Sequence, residues 1–208
     1  MRWAIWGAAA LIGLGAGIAL FVLRSSSPSA STGIVSAPAS TWASGVRRAP
    51  AVSLLDQDGK PVSLASFRGR TVILTFLDPL CRSYCPIEAA RLGDVVRSMP
   101  AAQRPAIIAV SVNVHGNARR YLLQDMHKWG VGPGWHWGVG TPTQLGTVWS
   151  RYDIGVLDQT KTIAGVVVHN ITHTEAAYVV DPSGYERALF LWPFTAADMR
   201  TELTGLSS

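Results

Sequence analysis

TVILTFLDPLCRSYCP, residues 71–86, joins a run of apolar residues to the only two cysteines of the chain. The first seven residues form a short, continuous, β-branched apolar run, which is typical of a strand buried on both faces of a sheet. Pro79 ends the run, and the apolar residues after Cys85 recur at helical spacing. We therefore expect a central buried strand, a short loop, and a helix from about Ser83 to Ser98.

The sequence on either side of this stretch predicts one α/β domain. Residues 52–55 and 61–64 flank the turn sequence Asp-Gln-Asp-Gly and predict a β-hairpin. Further strands are predicted at 106–112, 176–180 and 185–191, and further helices at 118–129, 141–152 and from Thr195 onward. This order indicates a thioredoxin-like fold, with a central mixed β-sheet flanked by helices and an N-terminal β-hairpin extension.

The first 24 residues predict a membrane anchor. An uncharged run of 21 residues, Trp3 to Leu23, lies between Arg2 and Arg24. A cleavable signal peptide has an apolar region of about 7 to 15 residues, whereas a bilayer span needs about 20. We therefore expect an uncleaved N-terminal transmembrane helix, with the N-terminus inside and the remainder exported. Cleavage after the Ala-Pro-Ala sequence at residues 37–39 is the alternative.

A flexible linker is predicted over residues 25–49, which are rich in Ser, Ala, Pro and Gly and hold few large apolar side chains. Residues 50–208 then form the globular domain, which is long enough to bury a sizeable core. The net charge is +5, of which Arg2 and Arg24 supply two, so the exported part carries +3. Its basic residues are scattered among acids, and we expect no nucleic-acid partner.

Cys81 and Cys85 admit three interpretations: a redox couple, part of a metal site, or a structural disulfide. They fall in the loop and first turn after a strand, where unpaired backbone N–H groups and the helix dipole stabilise thiolate. Arg82 is expected to lower the pKa of the pair further. Three residues separate the cysteines, whereas thioredoxin-type oxidoreductases have two. A disulfide closing so short a loop adds little stability.

Several motifs together resemble the Sco/SenC family. They are Cys81-Arg82-Ser83-Tyr84-Cys85-Pro86 after an apolar strand, the upstream LDQDGKPVSL of residues 55–64 followed by Phe67-Arg68-Gly69, and His173 shortly before YVVDPSG at residues 178–184. The resemblance extends from about Val52 to Leu203. It implies a membrane-tethered, thioredoxin-fold copper protein that helps to assemble the dinuclear copper centre of cytochrome c oxidase.

By matching positions, the resemblance implies that Cys81, Cys85 and His173 are the copper ligands. Two thiolates and an imidazole suit Cu(I) and also tolerate Cu(II). The implied partners are the copper-bearing subunit of cytochrome c oxidase, other copper chaperones or thiol-disulfide reductants, and the membrane. The implied location is the periplasmic side of the bacterial inner membrane or an equivalent exported compartment. We expect an assembly factor with no turnover of its own.

Two departures from the family pattern keep a second function open. The family commonly has Pro and then Asp after the first cysteine, where this chain has Arg82 and Ser83, and it usually has Asp-Pro where this chain has Asn113-Val114. A cation beside the thiols opposes copper binding and favours thiolate. The alternative is therefore a membrane-anchored thiol-disulfide oxidoreductase that uses Cys81 and Cys85 to reduce cysteines of an apo-oxidase subunit or another exported protein.

The remaining histidines and two segments receive weaker predictions. His169 is expected to be a surface residue, and His115, His127 and His136 have no cysteine or carboxylate at metal-ligand spacing. The segment from Leu157 to Thr172 is predicted as a loop that closes over the site, and residues 129–137, with three tryptophans, receive no assignment.

Overall fold

A six-stranded sheet forms the centre of the domain in the computed structural model, which describes residues 38–206. In chain order the strands are β1 (Ser40–Thr41), β2 (Ser53–Leu55), β3 (Pro61–Ser63), β4 (Val72–Leu77), β5 (Ala106–Ser111), β6 (Trp135–Gly138), β7 (Val156–Ile163), β8 (Val166–His173), β9 (Ala176–Val180) and β10 (Glu186–Leu191). The large sheet has the order β1-β10-β9-β4-β5-β6, while β2 pairs with β3 and β7 with β8 in two separate hairpins.

Four α-helices accompany the sheet in this part of the chain. They are α1 (Tyr84–Ser98), α2 (Arg119–Lys128), α3 (Pro142–Arg151) and α4 (Ala196–Gly205), with short 3-10 helices at Leu64–Phe67, Ala101–Gln103 and Val114–Gly116. Capping side chains fix the first residues of two of these helices. Thr141 caps α3 in a capping box with Gln144, and Thr195 accepts the backbone N–H of Asp198 at the start of α4.

Strand β4 lies at the centre of the sheet, parallel to β5 and antiparallel to β9, so the sheet is mixed. All six of its residues are buried because helices cover both faces. Ile73 and Leu77 pack in the layer that holds α1 and α4, whereas Leu74 and Phe76 pack in the layer that holds α3. The predicted α/β fold with a mixed sheet flanked by helices is confirmed.

The ends of β4 and β5 place the cysteine loop at one edge of the sheet. The strands are parallel and in register, with Leu77 opposite Ser111. Parallel strands end at the same edge, so the segments that leave them, which begin with Asp78 and Val112, start side by side. Helix α1 begins seven residues after Leu77, at Tyr84, and carries Cys85 in its first turn.

The predicted loop at residues 157–172 is wrong, because most of this segment forms the antiparallel hairpin of β7 and β8. The two strands pair over eight residues each and turn at Ala164 and Gly165, both of which have positive φ. Most of their side chains are exposed. A strand pair that buries neither face lacks the apolar alternation by which strands are recognised in sequence.

The tryptophan-rich segment that received no assignment forms β6 and part of the core. Trp135 and Trp137 are buried on β6, which pairs with β5 in parallel. The rings of Trp129 and Trp137 lie 5.7 Å apart, so the preceding turn packs on the same strand. These residues fill the layer beneath α1.

The described part of the predicted linker, residues 38–49, is attached to the domain. Ser40 and Thr41 form β1 on the edge strand β10, and Arg48 bridges to Tyr185. These are backbone hydrogen bonds to an exposed sheet edge, which need no apolar side chain, so composition did not reveal them. The predicted anchor, residues 1–24, lies outside the described residues. Between residues 38 and 206, no helix combines the length and apolar character that crossing a membrane requires.

A carboxylic acid is buried between β4 and α1. Glu88 is fully buried, and the hydroxyl of Thr75 donates to its Oε1 at 2.6 Å. Among the residues that the structure describes, none forms a hydrogen bond with its Oε2. Burial raises the pKa of Glu88 to about 8, although the hydrogen bond from Thr75 opposes the shift. Glu88 is therefore a neutral acid in the folded domain near neutral pH.

We expect the stability of the protein to fall as pH rises from about 4.5 to about 8, because the unfolded chain releases the Glu88 proton that the folded chain retains. The Glu88→Gln variant keeps a neutral side chain of similar shape and should lose much of this pH dependence. Urea unfolding at pH 5 and pH 8 measures it. Asp94→Asn, on an exposed side chain of the same helix, is the control. Equal pH dependence in wild type and Glu88→Gln would contradict the assignment.

Candidate metal centre

The loop between β4 and α1 places the two cysteines at different depths. Cys85 is buried in the first turn of α1, whereas Cys81 in the preceding loop is partly exposed, and both are free thiols. Asp78 shapes the loop, since its backbone carbonyl accepts the N–H of Cys81 at 3.0 Å. Its Oδ1 accepts the N–H of Leu80 at 2.8 Å and the amide of Asn113 at 2.9 Å.

The two thiols differ in acidity because they share one interaction. A hydrogen bond from Cys85 lowers the pKa of Cys81 to about 4, against the effect of partial burial, with help from the hydroxyl and N–H of Ser83. The same interaction and burial raise the pKa of Cys85. The prediction that the site favours thiolate therefore holds for Cys81 alone. Cys85 is a protonated donor at neutral pH.

His173 reaches the cysteines from the end of β8. Its Nε2 lies 3.8 Å from the Sγ of Cys85, although 88 residues separate them in the chain. Its Nδ1 lies 3.0 Å from the carbonyl oxygen of Thr174. A carbonyl only accepts, so Nδ1 carries the proton and Nε2 presents a lone pair to the thiol. A backbone carbonyl that fixes the tautomer is the usual support of a metal-binding imidazole.

The backbone around His173 sets where β8 ends. The N–H of Thr174 donates to the carbonyl of Gly155 at 2.9 Å, and the N–H of Gly155 donates to the Thr174 hydroxyl at 3.1 Å. This reciprocal pair joins the base of the β7–β8 hairpin to the residues that lead into β9. Because β9 pairs directly with β4, the hairpin delivers His173 to the edge of the sheet where the cysteine loop begins.

The three predicted site residues lie close to one open cleft. Cys81 and His173 line this depression of about 570 Å³, and the buried Cys85 lies next to His173. Two acidic residues that the sequence reasoning missed, Asp78 and Glu175, also line it. The position of Asp78, directly after a buried strand, was the available signal. Burial raises the pKa of Glu175, and the nearby His173 opposes that shift.

Arg82 does not act as the sequence suggested. Its guanidinium lies 3.5 Å from the carboxylate of Asp125 on α2 and donates to the carbonyl oxygen of Cys81 at 2.8 Å. Asp125 is buried, so the pair holds the cation against α2. The largest effects that lower the pKa of Cys81 come from Cys85 and Ser83. Arg82 stands where the family has another residue, but the Cys81 thiolate is stabilised mainly by Cys85 and Ser83.

The other histidines lie away from the cleft. His127 is exposed on α2, and His136 on β6 lies 3.8 Å from a carboxylate oxygen of Asp56. His115 and His169 both contact Asp158. The sequence showed no carboxylate at metal-ligand spacing from His115, and it predicted a surface position for His169. Of the histidines, His173 alone lies beside the cysteines in the described structure.

Solved structures share this fold. ScoI of Bradyrhizobium japonicum with copper bound is 20% identical and has a TM-score of 0.66 over 76% of this chain and 99% of its own. Yeast Sco1 with copper bound is 14% identical and has a TM-score of 0.66 over 76% and 87%. BsSco, a member of the Sco family of cytochrome c oxidase assembly proteins in which a disulfide switch was identified, is 19% identical and has a TM-score of 0.60 over 78% and 94%. No curated protein sequence matches the chain.

The family is established by the sequence itself. The SCO1/SenC family model matches residues 46–206, a range that includes the cysteine loop, the β7–β8 hairpin and His173. The match spans most of the 208 residues. The chain therefore belongs to the SCO1/SenC family.

Proposed function

We propose that this protein is a membrane-tethered copper chaperone that binds one copper ion through Cys81, Cys85 and His173. It delivers the ion to the dinuclear copper site of cytochrome c oxidase or prepares that site. The observation that carries the proposal is the 3.8 Å separation of the Cys85 Sγ and the His173 Nε2, in a cleft that Cys81 also lines.

That separation suits a shared metal ion. With the metal–sulfur and metal–nitrogen distances of zinc sites, about 2.3 Å and about 2.0 Å, trigonal coordination separates the two atoms by about 3.7 Å. The donor set of two sulfurs and one imidazole nitrogen is soft enough for Cu(I) and tolerates Cu(II). The lone pair of His173 Nε2 already faces the Cys85 thiol, which is the orientation that a shared ion requires.

Each residue has a distinct part in taking up and releasing the ion. Cys81 is partly exposed and has a low pKa, so its thiolate is the first donor that an incoming ion meets. Cys85 must then lose its proton, which makes uptake dependent on pH. His173 supplies the third donor. Three protein ligands beside an open cleft leave a position for a thiolate of the acceptor, which allows exchange without free ion.

The proposal includes the cellular location. The uncharged run from Trp3 to Leu23 supports an N-terminal anchor, and the family supports a role on the exported side of the membrane. We place the domain in the periplasm or an equivalent exported compartment. There the two thiols need a reductant before they bind copper, because oxidation to a disulfide removes both donors.

Copper titration of the reduced full-length chain, purified in detergent, tests the copper proposal. We expect one Cu(I) per chain. His173→Ala should weaken Cu(II) binding at least tenfold, because an imidazole donor is lost, while Cu(I) remains held by the two thiolates. Competition with a chromophoric chelator measures both affinities.

His127→Ala is the matched control, since His127 is exposed on α2 and lies away from the cleft. It should bind both ions as the wild type does. Absence of copper binding when both thiols are free would refute the copper role outright. An equal loss in the two histidine variants would remove His173 from the site.

A second function, thiol-disulfide exchange, is favoured by the asymmetry of the two thiols. The Cys81 thiolate attacks a disulfide of the partner and forms a mixed disulfide, releasing one partner thiolate. Cys85 then gives up its proton and attacks Cys81, which releases the second partner thiolate. The partner gains two electrons from the cysteine pair and two protons, one that Cys85 gave up and one from solvent. The cysteine pair becomes a disulfide that an external dithiol must reduce. This function needs no contribution from His173.

The reactivity of Cys81 should be nearly independent of pH in the reduced, metal-free protein. Because its pKa is about 4, Cys81 remains thiolate from pH 8 down to pH 5.5, and its alkylation rate by iodoacetamide should change less than twofold. The alkylation rate of an ordinary thiol falls about tenfold for each pH unit over this range, because its thiolate fraction falls by that factor. Mass spectrometry of the alkylated chain assigns the label to each cysteine.

The Cys85→Ala variant tests whether the Cys85 thiol causes the low pKa of Cys81. Without the Cys85 thiol as donor, the pKa of Cys81 should rise and its alkylation should become strongly dependent on pH. A rate for wild-type Cys81 that falls tenfold per unit below pH 8 would show that the shared hydrogen bond does not stabilise the thiolate.

A further inference from the structure

We propose that His115, Asp158 and His169 form a second metal site, which binds a divalent ion of the zinc or copper type independently of the cysteines. The three residues come from separate elements: the 3-10 helix Val114–Gly116 after β5, strand β7 and strand β8. Their ligand atoms all lie within 4.8 Å of one another. The site goes beyond the copper function proposed above and shares no ligand with it.

The geometry of the cluster converges on one carboxylate. The Nε2 of His115 lies 3.2 Å from the Oδ2 of Asp158, and the Nδ1 of His169 lies 2.9 Å from the same oxygen. The two imidazole rings stack, with centroids 3.5 Å apart and planes inclined by 22°. Tetrahedral zinc with nitrogen and oxygen ligands separates its donors by about 3.3 to 3.4 Å. Each pair of donors therefore lies within about 1.5 Å of the required spacing.

The chemistry of the cluster suits a borderline divalent ion. Imidazole binds zinc, copper and nickel well, and the carboxylate adds a negative charge that offsets part of the charge of the ion. Three protein donors leave a fourth position for water. All three side chains are partly exposed, at 39%, 36% and 27% for His115, Asp158 and His169, so an ion reaches them directly from solvent.

Binding there requires each imidazole to present a bare nitrogen. In the metal-free protein the carboxylate accepts from the imidazoles, so the facing nitrogens carry hydrogen. On binding, a neutral imidazole moves this proton to its other ring nitrogen, and an imidazolium loses one proton to solvent. The carboxylate then contacts the ion in place of the two N–H groups.

A metal ion at this position would fix the β7–β8 hairpin to the domain. His169 and His173 lie four residues apart on β8 and face the same side of the strand, about 13 Å apart at strand spacing. On the domain side, the N–H of His115 donates to Asn113, whose amide donates to Asp78 at the start of the cysteine loop. The second site therefore joins the elements that carry His173 and the cysteines.

Titration of a full-length Cys81→Ser/Cys85→Ser variant with Zn²⁺, and separately with Cu²⁺, tests the proposal without the thiols. Calorimetry should show one ion per chain. His115→Ala and His169→Ala should each weaken the binding at least tenfold. His173→Ala and His127→Ala, added to the same background, should leave the affinity unchanged. Absence of binding, or loss in His173→Ala without loss in His115→Ala, would overturn the second site.

Proteolysis of the hairpin gives a second readout if an alanine variant folds poorly. Lys161 is the only lysine or arginine between Arg151 and Arg187, and it is exposed on β7. Saturating Zn²⁺ should slow tryptic cleavage at Lys161 at least fivefold in the Cys81→Ser/Cys85→Ser chain. Adding Asp158→Asn, which preserves the shape of the side chain and removes its charge, should abolish most of the protection. Equal protection in both chains would overturn the assignment.

Discussion

The approach of His173 to Cys85 determines what the cysteine pair can do. The contact joins the first turn of α1 to the end of β8, and the structure supports it from both sides. Asp78 holds the cysteine loop at the edge of the sheet, while the carbonyl of Thr174 orients the imidazole. Without the histidine, an exposed thiolate beside a buried thiol is an arrangement for disulfide exchange. With it, we propose, the same two sulfurs become part of a three-donor site for a soft metal ion.

The fold follows from the sequence where burial or capping leaves a local pattern. Strand β4 is buried on both faces, so it is a continuous apolar run, and Thr195 marks the start of α4 with a capping side chain. The β7–β8 hairpin had no such pattern, because its faces are mostly exposed and its turn is Ala-Gly rather than Asn-Gly. Strand β1 was missed since it joins the domain by backbone pairing with β10, which leaves no side-chain pattern in the sequence.

The sequence predicted the residues of the proposed copper site, but it did not predict their electrostatics. Resemblance to the family, rather than spacing, connected His173 to the cysteines across 88 residues. The opposite acidities of Cys81 and Cys85 depend first on the hydrogen bond between the two thiols, and then on the burial of Cys85 and the contacts of Cys81 with Ser83. None of these contacts can be read from a sequence. Arg82, expected to act on the thiols, pairs instead with Asp125 on α2. The cluster around Asp158 combines three elements and left no local motif.

X-ray absorption at the copper edge is the sharpest test of the proposed copper site, because it reports the atoms bonded to the ion in the reduced, copper-loaded full-length chain. We expect two sulfur neighbours and one nitrogen neighbour with the outer-shell signature of an imidazole. The imidazole signature should disappear in His173→Ala and remain in His127→Ala. A coordination shell of nitrogen and oxygen alone, or an imidazole signal unchanged by loss of His173, would contradict a copper site built from Cys81, Cys85 and His173.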